Sequence, residues 1–431
     1  MNLRGGVTRY LRNASWMFLD KALALFASVF VGIWLARFLG PESYGVFSYV
    51  NSFVALFSVI AVLGIDAVLV RELVQPKFSE GELLGTALIL RTIGGVMALS
   101  LLALIQLMQS NPDVVFWYAI IAGSALIFNS SSVVELYYQA RVQSKYSVIT
   151  NSLCITISCS LKVLLILKQA PLSYFIWMLF LDGLLLGIAY LLLYNLLSGS
   201  IIHWSFRWNA AKMFLRSGLP LVLGGVVVAV YMKIDQVMLA QMVDMTSVGH
   251  YSVAVRLSEF WYIIPTTLSA AFFPALLESE QVDSVKYTQR FQMLCDVMFW
   301  MSACVVFFVI VFGGDLIGLL FGSVYEPAGP VLKIHVVAGL FAVLGIVSAN
   351  WFIQAGLESL LFWRSLVGAV LNIVLNLILI PHFEIMGAAV ATVAAQFLSG
   401  YVFNAFNKKC HALFVMQTKA ITAPIRYLKN W

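Results

Sequence analysis

The chain has 431 residues, of which 61% are hydrophobic and 11% charged, with a formal net charge of +6 and a mean hydropathy of +0.94. Soluble domains carry about 25% charged residues, so this balance excludes a soluble fold and sets the protein's work inside or across a bilayer. The five cysteines show no CxxC spacing and the five histidines no cluster, so neither a disulfide framework nor a metal centre is expected.

Twelve long apolar stretches follow one another, at 14–36, 45–70, 86–108, 114–138, 148–167, 173–197, 217–242, 251–274, 291–312, 331–355, 365–381 and 386–407. A helix needs about 20 apolar residues to cross the hydrocarbon core, so each stretch is read as a transmembrane helix. The first follows a basic N-terminal segment, but its apolar run is longer than that of a signal peptide and eleven more follow, which makes it a retained helix. The loops are too short for a folded domain; the longest are 198–216, 275–290 and, on the outer side, 313–330. With Met1 placed in the cytoplasm, nineteen of the 26 Lys and Arg fall on inner segments, two (Arg37 and Lys168) on outer ones and five within spans. This is the positive-inside pattern, and it sets both termini in the cytoplasm. It also accounts for the basic surplus without a nucleic-acid partner.

The chain repeats itself. Leu35-Ala36 and Ser43-Tyr44-Gly45-Val46-Phe47-Ser48 match Leu239-Ala240 and Ser247-Val248-Gly249-His250-Tyr251-Ser252, each pair 204 positions apart. A second match aligns residues 137–144 with residues 352–359, at an offset of 215. Six spans per repeat keep both halves in one orientation. The expected fold is an all-α integral membrane protein with about 12 transmembrane helices in two parallel six-helix lobes around a central cavity. The N-terminal lobe is 1–212, the C-terminal lobe 213–407, and 408–431 is a basic cytoplasmic tail. The connection 198–216 carries Trp204, Phe206, Trp208 and Phe214 with Arg207, Lys212 and Arg216. That composition fits a segment lying along the inner membrane surface and equally an ordinary cytoplasmic linker.

A charge in the hydrocarbon region costs about 2.5–3.5 kcal/mol even on an insertion scale, so it faces a cavity or a partner. Lys162 and Lys333 are close enough to outer ends to snorkel, and Asp296 lies near an inner end. Lys233 and Asp235 are more than two turns from either end of span 7. Arg256 and Glu259, three apart on span 8, share a face. Asp20 and Lys21 occupy span 1, and Asp66 and Arg71 the inner end of span 2. These charges line a cavity or form inter-helix ion pairs. Lys21, Lys233 and Arg256 suit an anionic headgroup such as a diphosphate; Asp235 and Glu259 suit coupling to H⁺ or Na⁺. Pro220 and Pro265 fit a bent gate helix, although kinks without motion are equally allowed. Asn372 and Asn376, four apart, read as glue between helices. No GxSxG, HExxH or Walker-type loop is present, so a catalytic site and an organic cofactor are not expected.

The segment Arg37-Phe-Leu-Gly40-Pro41-Glu42-Ser-Tyr44-Gly45, followed by Gly64-Ile-Asp66 and Arg71-Glu72, resembles the start of polysaccharide flippases of the O-antigen exporter type. These share a superfamily with the multidrug and toxin extruders. Lys233-Ile-Asp235-Gln236-Val-Met-Leu239, Val248-Gly249-His-Tyr251-Ser252-Val-Ala254 and Glu259-Phe-Trp261-Tyr262-Ile-Ile-Pro265 continue the resemblance, and Asn372-Ile-Val-Leu-Asn376, Leu379-Ile-Pro381 and Gly387-Ala388-Ala389 complete it in order. It implies a flippase of the bacterial inner membrane that moves an undecaprenyl-diphosphate-linked oligosaccharide repeat unit to the outer leaflet by alternating access. It implies Lys21, Arg37, Arg71, Arg91, Lys233 and Arg256 as substrate-binding cations; the residues themselves add Asp66, Asp235 and Glu259 as coupling or cavity acids and Pro220 and Pro265 as gate residues. The implied partners are the lipid-linked oligosaccharide, membrane lipids, a polysaccharide polymerase and a chain-length regulator. The other reading is an ion-coupled exporter of organic cations. Acids would dominate such a cavity, and Lys233 and Arg256 beside Asp235 and Glu259 favour the anionic substrate.

Overall fold

The computed structural model describes residues 3–109, 113–282, 284–424 and 426. Among the described residues every regular element is helical. The chain runs through α1 (Leu3–Val62), α2 (Asp66–Val74), α3 (Glu80–Gln109), α4 (Val114–Gly123), α5 (Ala125–Phe128), α6 (Val133–Ala140), α7 (Lys145–Leu167), α8 (Leu172–Leu197) and α9 (Trp208–Met242). It continues through α10 (Met245–Glu259), α11 (Ile263–Val282), α12 (Ser284–Phe321), α13 (Ala328–His335), α14 (Ala338–Gln354), α15 (Glu358–Phe397), α16 (Phe403–Phe406) and α17 (His411–Ile421).

Nine helical stretches among the described residues are long and apolar enough to cross a membrane. Two of them are double. α1 is broken at Gly40, whose φ of 70° and ψ of 170° leave the helical region. Pro41 follows, at the start of the next helical half, where its missing N–H is tolerated. α15 is broken at Glu384, with φ 49° and ψ −127°, three residues after Pro381. α10 and α11 are joined by a 3₁₀ turn at Phe260–Tyr262. The helix number is roughly consistent with the twelve crossings expected.

Two compact units result: 1–39 with 46–233, and 40–45 with 234–431. In the first unit, α2 packs with the start of α3, the ends of α6 and α8 and the start of α9. Leu69, Leu83, Tyr137, Tyr190 and Phe214 are buried together there. The bend between α1 and α2 uses two left-handed residues, Leu63 (φ 54°) and Gly64 (φ 62°). A β-carbon on Gly64 would lie 2.5 Å from the Gly218 carbonyl oxygen, and one on Gly218 would lie 2.4 Å from the Leu63 oxygen. This backbone contact ties the first half of α9 to the first unit, so the division falls after Lys233. The connection between the two halves is strapped to α3. Ser205 N–H donates to the Gly81 carbonyl (3.2 Å) and Arg207 N–H to Thr86 Oγ1 (2.9 Å), and Arg207 pairs with Glu82 at 3.3 Å.

The second unit is built around Phe291, Met298, Val343, Leu344 and Phe352, with Leu413, Met416 and Ala420 of α17. Within the segment expected as a basic tail, whose residues 425 and 427–431 lie outside the described residues, Leu413, Met416 and Ala420 of α17 recur at helical spacing and form an apolar stripe. Polar bonds fasten α17 further. Gln417 donates to the Leu344 and Gly400 carbonyls (3.3 and 3.2 Å) and Trp300 Nε1 to the Ala420 carbonyl (3.0 Å). Arg426 pairs with buried Asp296. The turn 40–45 belongs to this unit because it meets the turn opening α10. A β-carbon on Gly45 would stand 1.7 Å from the Met245 carbonyl oxygen, and one on Gly249 would stand 2.0 Å from the Pro41 oxygen. Pro41 and Met245 are 204 positions apart, as are Gly45 and Gly249. The contact is thus reciprocal at the offset of the repeat.

Candidate functional site

Two polar clusters lie at membrane depth, one in each unit. In the first, Arg91 sits three turns into α3, and its side chain is 3% exposed. It binds the Asp66 carboxylate and donates to Ser132 Oγ at 2.5 Å, while its Nε has no partner. Asp66 opens α2, where the positive end of the helix dipole favours a carboxylate. Asn151 of α7 donates to Asp20 at 2.8 Å, and Tyr190 of α8 donates to Glu135 of α6 at 3.3 Å. Lys21 is exposed beside Asp20, outside ion-pair distance of any described carboxylate.

The second cluster centres on Asp235, which is buried in α9. Tyr251 OH and Thr392 Oγ1 each approach its Oδ2 at 2.6 Å, and Asn376 Nδ2 donates to its Oδ1 at 2.7 Å. All three donors are neutral, and no described cation lies within 4.0 Å of the carboxylate. Asn376 also donates to Asn372 Oδ1 (3.3 Å), while Asn376 Oδ1 and Asn372 Nδ2 are buried without partners. The asparagines thus belong to the cage around Asp235 as well as joining helices. His335 Nδ1 is 2.8 Å from Ser258 Oγ, and its ring meets Tyr251 edge-on with centroids 5.9 Å apart.

The other residues singled out in the sequence fall in varied settings. Lys233 is half-buried and two positions before Asp235; residues at that spacing point to different faces of a helix. It lies outside ion-pair distance of every described carboxylate. Arg256 donates to Tyr44 OH at 2.9 Å, and Glu259 ends α10 at the 3₁₀ turn. Arg37 is exposed just before the Gly40 break. Arg71 is exposed and binds its neighbour Glu72 at 3.0 Å. Pro220 stands inside α9, whereas Pro265 is in the first turn of α11, where no intrahelical N–H bond is lost. Lys162 does not snorkel: it pairs with Asp182 of α8 at 2.7 Å, and Ser158 donates to the same carboxylate at 2.5 Å.

A model of the family described as polysaccharide biosynthesis protein matches residues 34–330. The chain belongs to that family. One relative of this polysaccharide biosynthesis protein is the probable low-salt glycan biosynthesis flippase Agl15 of Haloferax volcanii. It is 25% identical over 410 residues, which cover 87% of this chain and 79% of the relative. In fold, an inward-facing multidrug resistance MATE family transporter of the MOP superfamily matches with a TM-score of 0.72 at 16% identity, over 93% of this chain and 95% of the other. The lipid II flippase MurJ in its inward closed conformation matches with a TM-score of 0.66 at 15% identity, over 98% and 93%. The protein is a multi-pass membrane protein with the fold of these transporters.

Sequence reasoning left Glu135, Asn151, Tyr190, His335 and Thr392 out of the site. Glu135 carried a signal, being an acid in the fourth apolar stretch. A single Tyr, Thr or Asn in a membrane helix carries none, because such residues also serve helix packing.

Proposed function

We propose that this protein is a flippase that moves a polyprenyl-diphosphate-linked oligosaccharide repeat unit from the cytoplasmic to the outer leaflet by alternating access. It resides in the bacterial inner membrane with both termini in the cytoplasm. The observation that carries this reading is the pairing of family membership with cations left available at membrane depth. Lys21 and Lys233 lie outside ion-pair distance of any described carboxylate, so a diphosphate can supply the missing countercharge. The Asp235 cage is the coupling site, taking up H⁺ or Na⁺. A polymerase and a chain-length regulator of the same glycan are its partners at the outer face.

A deletion strain without a redundant transporter tests the reading. Lipid extracts should hold completed lipid-linked repeat units that never reach the outer surface, and normal surface glycan would refute it. The acids Asp20, Asp66 and Glu135 support a second reading, an exporter of organic cations. Vesicles that extrude ethidium but leave lipid-linked glycan in place would establish that reading.

A further inference from the structure

Arg91 and Asp66 differ in one respect that decides what each can do. The Arg91 side chain is 3% exposed and the Asp66 side chain 51%. Arg91 is enclosed in the first unit by α2, α3 and the Ser132 turn, and its guanidinium is engaged by Asp66 Oδ1 and Ser132 Oγ. It can neither reach a ligand nor offer an unneutralised charge. Whatever approaches this place meets the Asp66 carboxylate first.

The backbone fixes that carboxylate in position. The left-handed turn at Leu63 and Gly64 redirects the chain just before Asp66, and Gly64 is locked against Gly218. The helix N-terminus and Arg91 both hold the carboxylate in place. An exposed carboxylate has no hydrogen-bond donor to offer a diphosphate. It accepts hydrogen bonds from neutral hydroxyls, and charge-assisted bonds of that kind are the strong ones. It is also too costly to expose to lipid, so it faces water.

We propose that Asp66 is a glycan-binding residue, accepting hydrogen bonds from sugar hydroxyls of the lipid-linked oligosaccharide, and that Arg91 is the positioning residue that holds it. This rests on the flippase reading and divides the work within it: Lys21 and Lys233 meet the diphosphate, and Asp66 meets the sugars.

Purified full-length protein in nanodiscs would be titrated with two probes. One is bare C55 polyprenyl diphosphate; the other is the lipid-linked oligosaccharide extracted from the deletion strain. Asp66→Asn alone leaves buried Arg91 uncompensated and risks unfolding, so the main variant is the neutral pair Asp66→Asn with Arg91→Gln, with Asp66→Glu as the conservative change. The neutral pair should bind the bare diphosphate as wild type does and the oligosaccharide lipid about tenfold more weakly, the loss of one charge-assisted contact. Asp66→Glu should recover part of that difference. Equal weakening of both probes, or of neither, overturns the assignment and leaves the flippase reading intact. Wild-type protein that binds neither probe overturns the flippase reading and this assignment with it.

Discussion

Replacing Gly45 with alanine tests the reciprocal turn contact and the repeat behind it. The new β-carbon would stand 1.7 Å from the Met245 carbonyl oxygen and 2.7 Å from its carbon. Ordinary contact begins near 3.4 Å, so one turn must retreat by roughly 1.7 Å. The obstacle is backbone, which cannot swing aside like the end of a side chain. Overpacking costs about 1–3 kcal/mol, and Gly45→Ala should fall at the upper end, about 3 kcal/mol. Gly249→Ala, whose β-carbon meets the Pro41 oxygen at 2.0 Å, should cost nearly as much. The double variant should cost clearly less than the two single losses combined, because the first retreat makes room for the second. Gly40→Ala is the control. Nothing lies within 4 Å of its β-carbon and only its φ of +70° opposes alanine, a cost of about 1 kcal/mol. Thermal unfolding in detergent, followed by tryptophan fluorescence, orders the variants. Gly45→Ala unfolding at or above the temperature of Gly40→Ala would refute the contact.

Asp235→Asn should keep most of the stability, since an amide fills the same space, yet abolish transport driven by a H⁺ or Na⁺ gradient in vesicles. Asp235→Leu strands the Tyr251 and Asn376 donors, while Thr392 keeps the Ala388 carbonyl at 3.0 Å, and should lose roughly 2–6 kcal/mol at about 1–3 kcal/mol per stranded group, read as a collapse of folded protein in detergent. Lys233→Ala should leave unfolding temperature unchanged, because no described carboxylate depends on it, and should lower flipping. Lys233→Arg should retain flipping, and adding Asp235→Ala to Lys233→Ala should rescue nothing. Truncation after Asn407 removes Leu413 and Met416 from the core of the second unit at about 2–5 kcal/mol each. Immunoblots of the membrane fraction should show little protein left.

The helical crossings were readable because their signal is cumulative: twenty apolar residues in a row admit few alternatives. The breaks at Gly40-Pro41 and near Pro381 were readable for a local reason, since glycine and proline constrain the backbone wherever they stand. α17 was hidden because Lys408, Lys409 and Lys419 flank a stripe too short to register as a span, while its partners on α12 and α14 are distant in the chain. Pairings were hidden for the same reason. Lys162 finds Asp182 and Arg426 finds Asp296 only after the helices pack.

The site divides along the same line. Arg91 and Lys233 look alike in sequence, each a cation within or beside an apolar stretch, and both qualified as ligands for a diphosphate. Their difference is made entirely by neighbours: Asp66 and Ser132 enclose the first, and no described acid reaches the second. Asp235 and Asp66 reverse in the same way, one caged by three donors and the other half exposed. Charge type along the chain therefore identifies where polar function is concentrated. Which charge remains available to a ligand depends on the fold, and here the turn at Gly64 decides it. By bending α1 into α2 against Gly218, it brings Asp66 onto Arg91 and leaves the carboxylate, not the guanidinium, facing outward.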